Sequence, residues 1–229
     1  MQRVLDILLS GLALLVLSPL LVPVAIALRL TGEGEVFFIQ QRVGRGGQPF
    51  GLYKFATMLK NSPNLGTGTV TVKNDPRVLP LGRFLRKTKI NELPQLLNIF
   101  TGDMSIIGPR PQTQRCFDAF PESTQAAIVQ VRPGLSGIGS IIFRGEEDML
   151  HQHAEPMRFY DDVIAPYKGL LEEWYVQNQG LRTYLASIFV TAWVVVFPQS
   201  RLAWRAFPTL PLPPAELSLA VGAPGELTE

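Results

Sequence analysis

Four cations and one carboxylate stand close together in this chain: Arg83, Arg86, Lys87 and Lys89, then Glu92 directly after Asn91. Between Pro76 and Phe117 the only acidic residues are Glu92 and Asp103. Cations beside a helix start make an anion site, because first-turn amides are unpaired and the dipole favours negative charge. Lysine and arginine add compensating charge, arginine through two parallel hydrogen bonds. A single carboxylate among them can hold a metal that bridges phosphates. These are parts for phosphoryl transfer, in which positioning and charge neutralisation dominate. A solvated basic face ahead of an ordinary capped helix has the same spacing, since Asn caps as well as Asp. Spacing alone leaves both readings open.

Two short helices must present these groups. The stretch 81–87 fits a helix with Leu81, Phe84 and Leu85 on one face and Arg83, Arg86 and Lys87 on the other. Pro94 is acceptable only in a first turn, so a second helix begins near Asn91, with Asn91 or a near neighbour as its cap. Leu93, Leu96, Leu97 and Phe100 form its apolar face, and Thr101-Gly102-Asp103 ends it. Upstream, 35–55 reads as a β-hairpin around Gly44, Gly46 and Gly47. Those glycines could cradle a phosphate, but a turn needing positive φ explains them as well. The stretch 61–74 reads as a loop, and Asp75-Pro76 starts a turn. Downstream, 105–111 is a short apolar run into the rigid Pro109-Arg110-Pro111 turn. The stretch 121–131 reads as a helix, 132–137 as a turn or loop, and 157–176 as mainly helical with an interruption at Pro166. His151 and His153 read as surface residues, Cys116 as a buried small residue, and Glu146 to Asp148 as a solvated acidic turn.

With 229 residues the chain suits one domain with appendages. A net charge of +2 and a pI near 8.8 are too weak a balance to argue for nucleic acid. One cysteine excludes an intramolecular disulfide. A mean hydropathy of +0.17 with 17% charged residues means that the apolar surplus is concentrated. It lies in 7–28, an uncharged run long enough to cross about 30 Å of hydrocarbon. Pro19 frees the carbonyl of Leu15, Pro23 frees that of Pro19, and Ser18 can supply a hydroxyl partner. The break allows a kinked crossing helix or one that dips in and returns to the same face. A cleaved signal peptide, with Arg3 ahead and Ala25-Ile26-Ala27 as the cleavage site, is the competing reading, although the run is long for that and contains proline. A second apolar stretch, 181–197, reads as a core or interfacial helix. The Pro-rich 201–229 reads as a disordered tail.

Several long motifs in one order resemble the bacterial sugar transferase family, the monotopic polyprenyl-phosphate phosphoglycosyltransferases that start exopolysaccharide, capsule or O-antigen assembly. They are the N-terminal apolar segment with Ser18-Pro19, VFFIQQRVGRGGQPFGLYKF, DPRVLPLGRFLRKTKINELPQLLNIFTGDMSIIGPRP and VRPGLSGIGS. The resemblance implies an α/β, mainly α fold. Residues 1–31 would be a re-entrant membrane helix broken at Ser18-Pro19, with both ends cytoplasmic. Residues 32–200 would be a small catalytic domain with a β-hairpin and amphipathic interfacial helices, on the cytoplasmic face of the bacterial inner membrane. It implies Mg2+, a nucleotide-diphosphate sugar, usually a UDP-sugar, and polyprenyl phosphate as acceptor. Carried over by position, Glu92 matches the family's magnesium-binding glutamate, and Arg86 a substrate-phosphate arginine. Lys54 lies in the matching lysine motif, and Arg110 and Arg132 are candidates for the nucleotide end. No oligomeric state is implied.

Two departures stand out. Ala56 replaces a cation in Lys54-Phe55-Ala56-Thr57-Met58. Asn91 replaces the family's nucleophilic aspartate, and a neutral amide cannot form an acyl phosphate directly. Three routes remain: a substitute nucleophile such as Glu92, Asp103 or one of Glu146 to Asp148; direct attack by the lipid phosphate while Asn91 and Glu92 hold metal and phosphate; or an inactive, membrane-anchored binding or scaffold protein of the same pathway.

Overall fold

The computed structural model describes residues 1–64, 75–151 and 153–223, without the side chains of Pro63, Glu147, Asp148 and His151. Most of the expected loop at 61–74, part of the acidic turn at 146–148, and 224–229 therefore lie outside the described residues or side chains. The described chain is mainly helical. It divides into two compact units that do not follow the boundaries expected at 31/32 and 200/201. One comprises Leu5–Gln41 and Gly51–Gly102, the other Met1–Val4, Arg42–Phe50 and the chain from Asp103 onward.

In the first unit, α1 (Gln2–Leu30) runs through Pro19 and Pro23. The predicted repair is present: Ser18 Oγ donates to Leu15 O at 2.7 Å, the carbonyl that Pro19 leaves unpaired. At 29 residues α1 is about 44 Å long. It is long and apolar enough to cross a membrane, and only 6% of its most apolar window is buried. Leu8, Leu12, Leu15, Val16, Val22 and Ile26 are all exposed. Strands β1 (Phe37–Val43) and β2 (Pro49–Phe55) pair in a two-stranded sheet.

Helix α2 (Pro80–Lys87) follows a backbone contact at Thr57. Leu79 N–H donates to Thr57 O, and a Cβ on Gly82 would come within 2.1 Å of the same oxygen. That approach rotates the helix from the expected face. Gly82 and Leu85 are buried, whereas Phe84 is exposed. Helix α3 (Gln95–Thr101) starts after Pro94, and Gly102 ends it with φ of 109°. Its buried face is Gln95, Leu96, Asn98 and Ile99, while Phe100 is exposed and packs at Gly11 of α1. Of the expected face of Leu93, Leu96, Leu97 and Phe100, Leu96 is buried, Leu93 and Leu97 are half-buried and Phe100 is exposed, so the face is displaced. Asn98 explains why: its Oδ1 accepts from Tyr53 N–H and its Nδ2 donates to Gly51 O, which locks that side against β2.

In the second unit, β3 (Ser105–Ile107) pairs in parallel with β4 (Gly134–Ser136), in register Ser105 to Gly134 and Ile107 to Ser136. The run expected to be a loop at 132–137 therefore contains a strand. Helices α4 (Gln114–Asp118) and α5 (Glu122–Ile128) lie between the strands in sequence. Then come α6 (Ile138–Ile142), α7 (Glu146–His151) and α8 (Pro156–Phe159). A single π-helical turn at Tyr160–Ile164 leads into α9 (Ala165–Gln177), which takes Pro166 in its first turn. Helix α10 (Leu181–Val196) buries Tyr184, Ser187, Val190 and Val194 and exposes Leu185, Phe189, Trp193, Val195 and Val196. It is apolar on both faces, as a core or interfacial helix would be.

The tail differs from its expected disorder. Helices α11 (Leu202–Ala206) and α12 (Ala215–Ser218) form, and Phe207, Leu210, Leu217 and Val221 are buried. Tyr167 Oη donates to Pro211 O at 2.8 Å, and Trp204 Nε1 to Val221 O at 3.3 Å. The tail's apolar residues find a partner surface that composition does not reveal.

Candidate active site

Lys54, Arg86, Asn91 and Glu92 belong to one unit, and Asp103, Arg110 and Arg132 to the other. In the first, one hydrophobic cluster positions the candidates. Leu28, Phe55 and Leu85 are its buried centre, with Leu21, Val24, Ala25, Val36, Leu81 and Ile90 packed around them. Lys54 precedes Phe55, Arg86 follows Leu85, and Asn91 follows Ile90. These three are therefore chain neighbours of cluster residues, and burial of the apolar one fixes the polar one; Glu92 follows one residue further on. The part of α1 after Pro19 belongs to the same cluster.

Lys54 and Arg86 are half-buried. Lys54 Nζ donates to Gln40 Oε1 at 3.3 Å, and Arg86 Nη1 lies 3.8 Å from Met58 Sδ. Ala56, where the resembling family has a cation, is buried, and its N–H donates to Val36 O. Between Arg86 and Asn91 the chain reverses through Lys89, which has φ of 59°. For a residue with a Cβ that conformation costs about 1 kcal/mol.

Asn91 is not the cap of α3. It lies in a 3-10 turn, Ile90–Glu92, which leads through Leu93 and Pro94 into the helix. Its side chain is 8% exposed, and its Oδ1 has no hydrogen-bond partner. An unpaired buried acceptor costs about 1 to 3 kcal/mol, so it calls for a donor or a cation. Glu92 beside it is half-buried. Two hard oxygen ligands thus stand at adjacent positions, which fits Mg2+. Among the described residues no group of three His, Cys, Asp or Glu side chains is placed to hold a metal by itself.

The glycine-rich turn does not cradle a phosphate. Gly46 and Gly47 have φ of 70° and 72°, as a tight turn requires. Gly44 N–H donates to Gln48 O, Gly46 N–H to Val129 O and Gly47 N–H to Gly44 O, so all three amides are used.

In the second unit the backbone carrying Arg110 meets the backbone carrying Arg132. Gly134 N–H donates to Pro109 O at 2.8 Å, and a Cβ on Gly108 would come within 2.5 Å of Arg132 O. Both arginines are half-buried, and Asp103 is exposed just past α3. Cys116 is half-buried and free rather than fully buried, and His153 stacks on Phe159.

Sequence reasoning missed a buried ion pair and a buried carboxyl. Asp75 and Arg77 form a buried, bidentate ion pair, with Arg77 Nη1 also donating to Ser62 O at 2.8 Å. Only the start of a turn at Asp75 was legible, and Val78 N–H does donate to Asp75 O. Glu172 on α9 is 1% exposed, and burial pushes its carboxyl up to about 7 against the pull of Lys168 and Arg110. The spacing of Lys168, Glu172 and Tyr175 at i, i+4 and i+7 was the available signal.

The chain belongs to the bacterial sugar transferase family, whose model matches residues 1–198. It is 38% identical over 170 residues to the UDP-glucose:undecaprenyl-phosphate glucose-1-phosphate transferase of Escherichia coli, covering 73% of this chain and 36% of that one. It is 32% identical over 210 residues to the undecaprenyl-phosphate galactose phosphotransferase of Salmonella typhimurium, covering 86% and 40%. To the exopolysaccharide production protein ExoY of Rhizobium meliloti it is 31% identical, covering 83% of each chain. The matches thus span little more than a third of the first two relatives and most of the third.

Proposed function

We propose that this protein transfers a sugar-1-phosphate from a UDP-sugar to undecaprenyl phosphate or a similar polyprenyl phosphate, releasing UMP, at the cytoplasmic face of the bacterial inner membrane. The observation that carries the reading is the buried, unpartnered Asn91 Oδ1 beside Glu92, at the end of a basic helix, in a chain of this family. Asn91 and Glu92 would hold Mg2+, which, when bound, neutralises the diphosphate and the departing nucleotide. Arg86 and Lys54 bind phosphate oxygens of the donor. Arg110 and Arg132 keep the nucleotide-binding role that the resemblance implies.

With an amide at position 91 and Glu92 committed to the cation, the reading that fits is direct transfer. An oxygen of the lipid phosphate attacks the β-phosphorus, a new P–O bond forms, and the bond from that phosphorus to the bridging oxygen breaks with UMP as the leaving group. The test is UMP release from purified protein with Mg2+ and a panel of UDP-sugars, with and without polyprenyl phosphate. UMP formed only with lipid supports direct transfer. UMP formed without lipid, with a matching mass gain on the protein, replaces it with a covalent route through a substitute acid such as Glu92 or Asp103. Donor binding without UMP under either condition favours the scaffold reading.

We also propose that α1 is re-entrant, bending at Ser18-Pro19. Both halves of α1 pack on the same unit: Gly11 against Phe100, and Leu21 to Leu28 in the cluster around Leu85. These contacts lie about 26 Å apart along the helix. Contacts of both halves with one unit support a segment whose two ends lie on the same side of the membrane. Cysteines introduced at positions 3 and 31 are expected to be labelled from the cytoplasmic side alike; labelling from opposite sides would refute the bend.

A further inference from the structure

Helix α9 carries Lys168, Glu172 and Tyr175 along one face, and all three are buried. Packing alone would favour apolar residues there, because a buried ion is often replaced by a hydrophobic isostere without loss of stability. Here the face meets the ends of β3 and β4 with polar atoms. Tyr175 Oη donates to Ile107 O at 3.1 Å. Glu172 Oε1 accepts from the Arg110 amide at 3.4 Å, and the carboxylate also accepts from the Gly139 amide. Lys168 Nζ pairs with Glu146. The carboxyl lies directly on glycine backbone, since a Cβ on Gly139 would come within 2.4 Å of Oε1. Oε2 has no hydrogen-bond partner.

The Pro109-Arg110-Pro111 turn has a single N–H, that of Arg110, because proline has none. Both prolines have φ fixed near −65°, so the remaining freedom lies around Arg110. The carbonyls on either side are already held: Pro109 O by Gly134 N–H and Pro111 O by Arg42 Nη1. The Glu172 carboxylate takes the one remaining amide.

We propose that Glu172 is a positioning residue: by holding the Arg110 amide it sets the direction in which this turn presents the Arg110 guanidinium to a nucleoside diphosphate. The inference rests on the nucleotide role given to Arg110 above. Glu172 has no role in the chemistry itself; it acts through a backbone contact 62 residues away in sequence.

The test uses the full chain in detergent micelles, with UDP as the probe. Glu172→Gln keeps an acceptor oxygen at the same place, and Glu172→Met removes it at similar volume. Backbone amide exchange in the peptide 107–112 is expected to accelerate in Glu172→Met and to stay near wild type in Glu172→Gln, with the thermal midpoint of Glu172→Met no more than a few degrees below wild type. UDP affinity is expected to fall about tenfold in Glu172→Met, as for loss of one well-placed hydrogen bond to a charged group. The same substitution is expected to change nothing in an Arg110→Ala background, because the two residues act in series. Unchanged exchange at 107–112, or an equal affinity loss in the Arg110→Ala background, overturns the proposal. Accelerated exchange together with wild-type UDP affinity in Arg110→Ala would instead remove Arg110 from the nucleotide site while leaving Glu172 as the anchor of the turn.

Discussion

Replacing Glu172 by glutamine should make the protein more stable, and only above mildly acidic pH. Burial pushes the Glu172 carboxyl up to about 7 from an ordinary value of 4.5, because the charged form loses its water. Lys168 and the amides of Arg110 and Gly139 pull it only partly back. The folded chain therefore holds this proton more tightly than the unfolded chain. The resulting stabilisation is complete below about pH 4.5 and is lost as pH rises through about 7. From 4.5 to about 7, at about 1.4 kcal/mol per pH unit, the loss amounts to about 3 kcal/mol. Glutamine does not ionise, so the variant lacks this loss. Thermal unfolding in micelles, followed by tryptophan fluorescence, is expected to give similar midpoints for the two proteins near pH 5. At pH 8 the variant is expected to unfold about 6 to 12 °C higher, at about 2 to 4 °C per kcal/mol for a chain of this size. An advantage of equal size at both pH values, or a less stable variant at pH 8, would refute the reasoning.

Other expectations follow from the same contacts. Glu92→Gln is expected to lower UMP release by at least about a hundredfold, and Asn91→Ala by less; a folded Glu92→Gln protein that turns over normally removes Glu92 from the site. Asp75→Asn removes the carboxylate charge from the bidentate pair with Arg77 and should lower the denaturant unfolding midpoint; an unchanged midpoint would mean that water or another group replaces it. Ser18→Ala removes the partner of Leu15 O and should cost about 1 kcal/mol in lipid; no change in the unfolding midpoint in nanodiscs would mean that the carbonyl finds another donor. Gly139→Ala drives a methyl group into the Glu172 carboxyl and should destabilise by about 1 to 3 kcal/mol, read in the same unfolding assay, with the penalty reduced in a Glu172→Ala background.

What the sequence determined by itself was local or carried by motif order. The run through 7–28 showed its apolar helix, and the rule that proline frees the carbonyl four residues back located the Ser18 hydroxyl bond to Leu15 O. Gly46 and Gly47 announced their turn because only glycine enters positive φ without cost. Family membership followed from long motifs kept in order. Tertiary structure decided which face a two-turn helix buries. In α2 and α3 the expected faces put Phe84 and Phe100 inside, but close approach of Gly82 to Thr57 and the double hydrogen bond of Asn98 to β2 turned both rings outward. It also decided that Asn91 is buried with an orphan acceptor rather than capping a helix, and that the described part of the Pro-rich tail, 201–223, carries helices and buried side chains. Glu172 and Arg110 make the sharpest case. Nothing in the spacing of two residues 62 apart says that a carboxylate meets an amide. That meeting exists only because β3, β4 and α9 pack together, and burial by that packing is what raises the proton affinity of the carboxyl.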